Sequence, residues 1–349
     1  MSIEKRRMGR ADKAVLRLAI GLVLAVLVAY GLALKAPYAV CVVAVLILCK
    51  PGPPIPLFKG MVLALVIAVL MMAGVLMVPV LENYALTGVL LTGVLLYAVF
   101  YSGVRSANPL ATILVMAIAL IPVVGVVEQA LALQIGATLA VGLCIGVLVS
   151  GISHALFPDP PVRAGRRAAA EVPTRESASW IALRAVVVVM PVFVLALTNP
   201  SFYVAAVMKS VALGQQAGST STRSAGQELV GSTLMGAAIA GCLWFGLALR
   251  PNLWMLMLWM AAAALWVGTR LFRVRPGAFP PSFWVQSLVT VLLLLGPAIE
   301  DSAGGKDVLK ASATRVALFV AVALYAWVTV WALEHWRTAR SHALFFRQG

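Results

Sequence analysis

Ionisable side chains inside long apolar stretches are where chemistry would show in this sequence, because a charge in an apolar setting needs either a partner or a function. Arg17 and Arg184 each lie near the start of such a stretch, in LRLAIGLVLA from Leu16 and LRAVVVVMP from Leu183. Deep in a bilayer each would cost about 2.5–3.5 kcal/mol on insertion scales. Two readings fit. Long arginine stems can carry their heads to the lipid headgroups, or the two guanidinium forks can bind carboxylates on a common path. Tyr38 and Tyr203, at the starts of the following stretches, would help shape that path. A second cluster holds Glu300, Asp301, Lys306, Asp307 and Lys310, followed by Arg315. A Ser-Ala-Gly-Gly turn with Asp307 at a helix start accounts for most of it. Arg315, about two turns into an apolar helix, calls for a carboxylate partner: Asp301, Glu128 or Asp307. Such a pair could couple proton movement or act as a gate.

No other chemistry-bearing pattern stands out. AGGKD (303–307) lacks the spacing and hydroxyl of a nucleotide-binding loop. No Ser/His/Asp set and no metal-ligand set shares an apolar stretch, so no enzymatic activity, cofactor or metal is expected. Cys41, Cys49, Cys144 and Cys242 have neither zinc nor disulfide spacing and read as buried thiols. His154 and His335 end their stretches as interfacial histidines. Trp180, Trp254, Trp284 and Trp336 are placed as interface anchors, with Trp259, Trp266, Trp327 and Trp331 deeper.

These residues must be positioned by membrane helices. Of 349 residues, 62% are apolar and 11% charged, too few charges to cover a water-facing surface. The basic excess, 27 against 12 acidic residues, is spread over short breaks between apolar runs, so it does not form a nucleic-acid-binding face. Runs of about twenty residues match the ~30 Å hydrocarbon core. They predict an all-α polytopic protein with spans near 14–34, 37–50, 57–80, 84–101, 108–127 and 131–156. A second set falls near 178–198, 200–215, 226–249, 251–271, 279–298 and 308–336, after a Pro- and Arg-rich linker over 158–177. The basic start at 1–13 with its long run reads as a first span and not as a cleaved signal. With twelve spans, most Lys and Arg fall on one side, which places both termini, including a tail over 337–349, in the cytoplasm.

The two sets echo each other. Besides the Leu-Arg openings, PYAVCVVAVLI from Pro37 answers PSFYVAAVMKSV from Pro200, and IPVVGVVEQ from Ile121 answers LGPAIED from Leu295. Two halves of about six spans each, in one orientation, form a transporter-like repeat. These features, with PAIEDSAGGKDVLKASATRVALFVAVALYAW near the end, resemble the fusaric acid resistance superfamily of aromatic acid exporters, and more narrowly its short branch of uncharacterised inner-membrane domains. The resemblance implies an efflux permease of the bacterial inner membrane that exports aromatic or related organic acids with a periplasmic adaptor of the membrane-fusion type. Under it, Arg17, Arg184, Tyr38 and Tyr203 would meet the substrate, and Glu128, Asp301, Asp307 and Arg315 would couple or gate. The partners expected are the organic anion, membrane lipid and that adaptor, with self-association left open and no nucleic acid. A passive anion channel and a non-transporting subunit of an envelope complex are the alternatives.

Overall fold

The computed structural model describes residues 9–49, 56–106, 110–158, 174–219 and 222–345. Among these the chain forms twelve helices and no strand: α1 (Arg10–Gly31), α2 (Pro37–Leu48), α3 (Leu57–Asn83), α4 (Ala85–Ser106), α5 (Leu110–Gly125) and α6 (Gln129–Leu156), then α7 (Arg175–Thr198), α8 (Pro200–Ser219), α9 (Thr222–Leu249), α10 (Leu253–Leu271), α11 (Pro281–Ala303) and α12 (Val308–Phe345). Helices satisfy every backbone amide within the segment, which hydrocarbon demands. Nine are long and apolar enough to cross a membrane, and α2 and α5 are shorter apolar helices. The chain is an all-α multi-pass membrane protein.

Local chemistry sets the ends. Pro37, Pro200 and Pro281 open their helices, where a missing N–H costs nothing. Asn252 and Thr174 cap α10 and α7, accepting the N–H groups of Met255 at 2.8 Å and Ser177 at 3.3 Å. The Thr174 cap starts α7 at Arg175, a little ahead of the expected 178. At the other extreme, α12 continues to Phe345, well past 336, because TARSHALF contains no glycine or proline to stop it. The expected tail is therefore largely helical, while most of the expected 158–177 linker lies outside the described residues.

The two six-helix halves pack alike. α1 packs on α2 and α6 as α7 packs on α8 and α12, and α3 on α5 and α6 as α9 on α11 and α12. Contacts between the halves are reciprocal: α4 packs on α7 as α10 packs on α1, and α5 on α8 as α11 on α2. This is the pattern of two similar units related by a pseudo-two-fold axis. Successive helices run in opposite directions. The start of α1 meets the end of α6, where Lys13 Nζ donates to the Pro158 carbonyl at 2.8 Å. Likewise Trp180, near the start of α7, reaches Glu334, near the end of α12. One end of the bundle, the basic end, thus carries Arg10, Lys13, Lys59, Arg105, Arg175, Arg270, Arg273, Arg275 and Arg337. The far end carries Glu82, Glu128, Glu300, Asp301 and Asp307.

α2, α5, α8 and α11 form the centre. α2 is buried along nearly its whole length, although its 12 residues reach only ~18 Å at 1.5 Å each. α5 and α11 carry internal prolines at corresponding places, Pro122 and Pro297. The proline-interrupted helices α5 and α11 thus stand at matching positions of the two halves. α3, α4, α10 and α12 expose Leu65, Leu90, Leu258 and Val328 outward, as lipid-facing helices do.

Candidate functional site

A polar column runs along α8 and α11 through an otherwise apolar bundle. Lys209, halfway along α8, is fully buried. Its Nζ donates to Thr290 Oγ1 at 2.6 Å, and the Thr290 hydroxyl donates to the Gln286 carbonyl at 2.7 Å. Gln286 Nε2 in turn donates to the Ala212 carbonyl at 2.9 Å, joining α11 back to α8 one turn nearer the basic end. Gln286 Oε1 is buried without a hydrogen-bond partner among the described residues. Closer still to that end, Gln216 Nε2 donates to the Glu228 carbonyl at 3.2 Å, and the Ser282 hydroxyl to Glu228 Oε2 at 3.2 Å. The small side of α9 permits this crowding: a Cβ at Gly236 would stand 2.5 Å from Thr290 Cβ and 2.7 Å from the Ser287 carbonyl oxygen. The polarity belongs to the second half. With Tyr38 aligned on Tyr203 and Pro122 on Pro297, Ala44 stands where Lys209 does, and Ala111 and Val115 where Gln286 and Thr290 do.

Ion pairs stand toward both ends of the bundle, and α12 takes part in each. At the basic end Arg184, buried on α7, donates through Nη1 to Glu334 Oε1 at 2.8 Å and through Nη2 to the Ala217 carbonyl at the end of α8. Trp180 Nε1 donates to the same carboxylate oxygen at 3.1 Å, and Arg337 lies over the Trp180 ring at 5.4 Å. At the far end Arg315 Nη2 approaches Asp301 Oδ2 at 2.6 Å, a charge contact whose N–H is not aligned on the oxygen. Asp301 is buried, and the exposed Lys306 sits 3.8 Å from its other oxygen.

The residues singled out from sequence fall into place around this column but do not meet in one site. Arg17 is buried on α1, which packs on α2, α6 and α10, whereas Arg184 faces α8 and α12. Tyr38 and Tyr203 lie at the far end, because they start α2 and α8, so they are separated from the two arginines by the length of the bundle. Tyr38 is buried against Gly296 of α11, and Tyr203 stands edge-on to Phe202 with ring centroids 4.8 Å apart. Of the four gating candidates, only Asp301 and Arg315 join. Asp307 accepts the Lys310 N–H at 3.2 Å and serves the start of α12, and Glu128 is exposed at the turn into α6. Trp284, expected at an interface, is buried with its ring edge against Trp266. Cys242, expected buried, is exposed.

Lys209, Gln286 and Thr290 were not anticipated. A signal for the first existed: a lone lysine in PSFYVAAVMKSVAL has no interface nearby to reach. Chemically, the column offers a fixed amine donor at mid-span with amide and hydroxyl groups beside it, and the bundle adds an ion pair toward either end. Among the described residues no group of acidic, His and Cys side chains could hold a metal ion. No curated protein and no solved structure matches the chain. Residues 14–152 match the family DUF2955, a protein of unknown function, and that stretch covers the first six-helix unit, not the half that holds the polar column.

Proposed function

We propose that this protein is a secondary efflux permease of the inner membrane that moves organic, chiefly aromatic, acids outward along the α8–α11 column. The observation that carries the reading is Lys209, a fully buried amine halfway along α8 and between two ion-paired ends. Ionisable groups inside membrane bundles are costly and mark solute or proton paths. A lysine without a carboxylate partner favours an anionic solute. The two locks fit alternating access: releasing Arg184 from Glu334 would open the basic end, and releasing Asp301 from Arg315 the far end. Arg17 and Arg184 attract the anion at the basic end, the end taken as cytoplasmic because Lys and Arg favour that side. Tyr38 and Tyr203 shape the exit, with Glu128 and Asp307 at its rim. Outward movement of an anion draws on the membrane potential, about 2.3 kcal/mol per charge per 100 mV. The turns at the far end are short, so a periplasmic membrane-fusion adaptor would carry the solute onward.

The test is uptake of labelled 4-hydroxybenzoate or fusaric acid into inverted membrane vesicles containing the protein, with and without an imposed gradient. Gradient-dependent accumulation that falls at least about tenfold in Lys209→Met is expected, since a lost charge-assisted contact is worth about 1.5–3 kcal/mol. Accumulation equal to that of vesicles lacking the protein would overturn the reading. Full export by cells that have no co-purifying adaptor would remove the adaptor from it.

A further inference from the structure

The electrostatics of Lys209 carry one step more, resting on the permease reading above. Its ammonium would meet a single protein oxygen, Thr290 Oγ1, whose own proton is committed to the Gln286 carbonyl. α8 packs on α5, α7, α9, α11 and α12. α5 carries no ionisable residue between Leu110 and Gly125. On α7, Arg175, Glu176 and Arg184 lie toward the basic end, as do Arg223 and Glu228 on α9, where Glu228 is engaged by Ser282. α11 offers only Glu300 and Asp301, at the far end. α12 has Lys310 and Arg315 there and Glu334, His335, Arg337 and Arg340 at the basic end. Between them it has only Tyr325, whose hydroxyl donates to the Val187 carbonyl. The remaining titratable groups are Tyr203 on α8 itself, at the far end, Cys242 on α9, which is exposed, and His342 on α12, beyond Arg340. Among the described residues no carboxylate therefore stands at mid-span to balance the lysine, and of the groups beside it only the second N–H of Gln286 Nε2, whose other N–H is given to the Ala212 carbonyl, could donate to an anion.

We propose that Lys209 binds the anionic head of the solute, with Thr290 holding the ammonium in place and Gln286 Nε2 beside it, and that the bundle closes around this site only when the lysine's positive charge is matched. The match comes from the bound anion, or from loss of the lysine's proton. In the second case an N–H bond breaks, its electron pair stays on Nζ, and the proton leaves to water while one end of the column is open. A bare ammonium sealed among apolar helices is strongly penalised, so the solute-free carrier with a charged lysine does not cross. Anion-for-anion exchange then outruns net efflux, and net efflux proceeds through the neutral lysine.

The experiment uses the purified full-length protein in liposomes preloaded with labelled 4-hydroxybenzoate, with efflux timed into buffer with or without unlabelled 4-hydroxybenzoate. External anion is expected to speed efflux at least about tenfold in mildly acidic buffer, and alkaline buffer to narrow that ratio by raising net efflux. Lys209→Arg, which cannot lose its proton, should keep the exchange and lose the narrowing. Lys209→Met should lose the acceleration altogether, while melting no lower than wild type in detergent. A wild-type ratio near one, or the same ratio and pH dependence in Lys209→Met, would overturn the inference while leaving a permease. No protein-dependent efflux from wild-type liposomes would overturn the permease reading and this inference together.

Discussion

Arg315 and Asp301 show what a single pair of side chains contributes in this setting. Asp301 is buried, so removing the guanidinium leaves its carboxylate only the exposed Lys306 at 3.8 Å, whereas removing both charges leaves neither without a partner. Breaking such a pair from one side costs roughly 3–5 kcal/mol, and replacing both partners by apolar residues is often neutral. Arg315→Met should therefore lower the melting temperature of the purified protein clearly, and Asp301→Leu combined with Arg315→Met should recover most of the loss. If the double variant melts below the single one, the pair does more for folding than balance charge. The need for a partner at Arg315 was legible in sequence, because an arginine two turns into an apolar helix has few ways to be satisfied. Which carboxylate serves was not, since Glu128 and Asp307 are turn residues of the same charge and only packing buries Asp301. Lys209 was missed for a different reason. Internal repetition draws attention to what the halves share, such as Arg17 and Arg184, and the lysine sits where they differ, opposite Ala44. Its partner Thr290, and Gln286 one turn away, are on another helix far along the chain, where a threonine and a glutamine in an apolar run carry no pattern.

At the scale of the element, α9 decides how closely the column is held. Gly236 faces the α11 backbone, and a methyl there would collide with Thr290 and with the Ser287 carbonyl oxygen, neither of which is the free end of a flexible side chain. Gly241, on the same helix, has nothing within 4 Å of the place a methyl would take. Gly236→Ala should then push α9 from α11, lower stability by about 1–3 kcal/mol as overpacked cores do, and loosen the Lys209–Thr290 contact. Gly241→Ala should be neutral or mildly stabilising, since alanine is the better helix former. Detergent melts of the two variants side by side check this, and equal behaviour would mean that α9 is free to shift. The helices themselves were readable, because spans between charged breaks and prolines at helix starts are local signals. Where α7 and α12 differ from expectation, the cause is also local: a threonine cap, and a polar segment with no stop signal that continues as helix after the apolar run has ended. The reciprocal packing of α4 on α7 and α10 on α1 was beyond reach, since the echoes between the halves say that the units are alike but not which faces they present to each other.

For the whole molecule, the pseudo-two-fold arrangement has a consequence for sidedness. Six helices per unit bring each unit back to the end where it began, so both units put their basic turns at one end, and one orientation must serve the entire bundle. Lys and Arg near helix ends favour the cytoplasmic face. That face would hold the Arg184–Glu334 lock, and the opposite face the Asp301–Arg315 lock, the sidedness that the proposed efflux assumes. Single cysteines at Arg275, in the exposed turn between α10 and α11, and at Ser302, exposed in the last turn of α11, report on the two ends. The four native cysteines must first be replaced, with alanine at Cys41 and Cys49, which are packed in the core. In spheroplasts an impermeant maleimide should label Ser302→Cys at once and Arg275→Cys only after the membrane is opened. The reverse order would turn the bundle over, put the Asp301–Arg315 lock on the cytoplasmic side, and make inward movement of the anion the direction to test. Labelling of both positions from outside would mean that one unit is not inserted as the reciprocal packing requires.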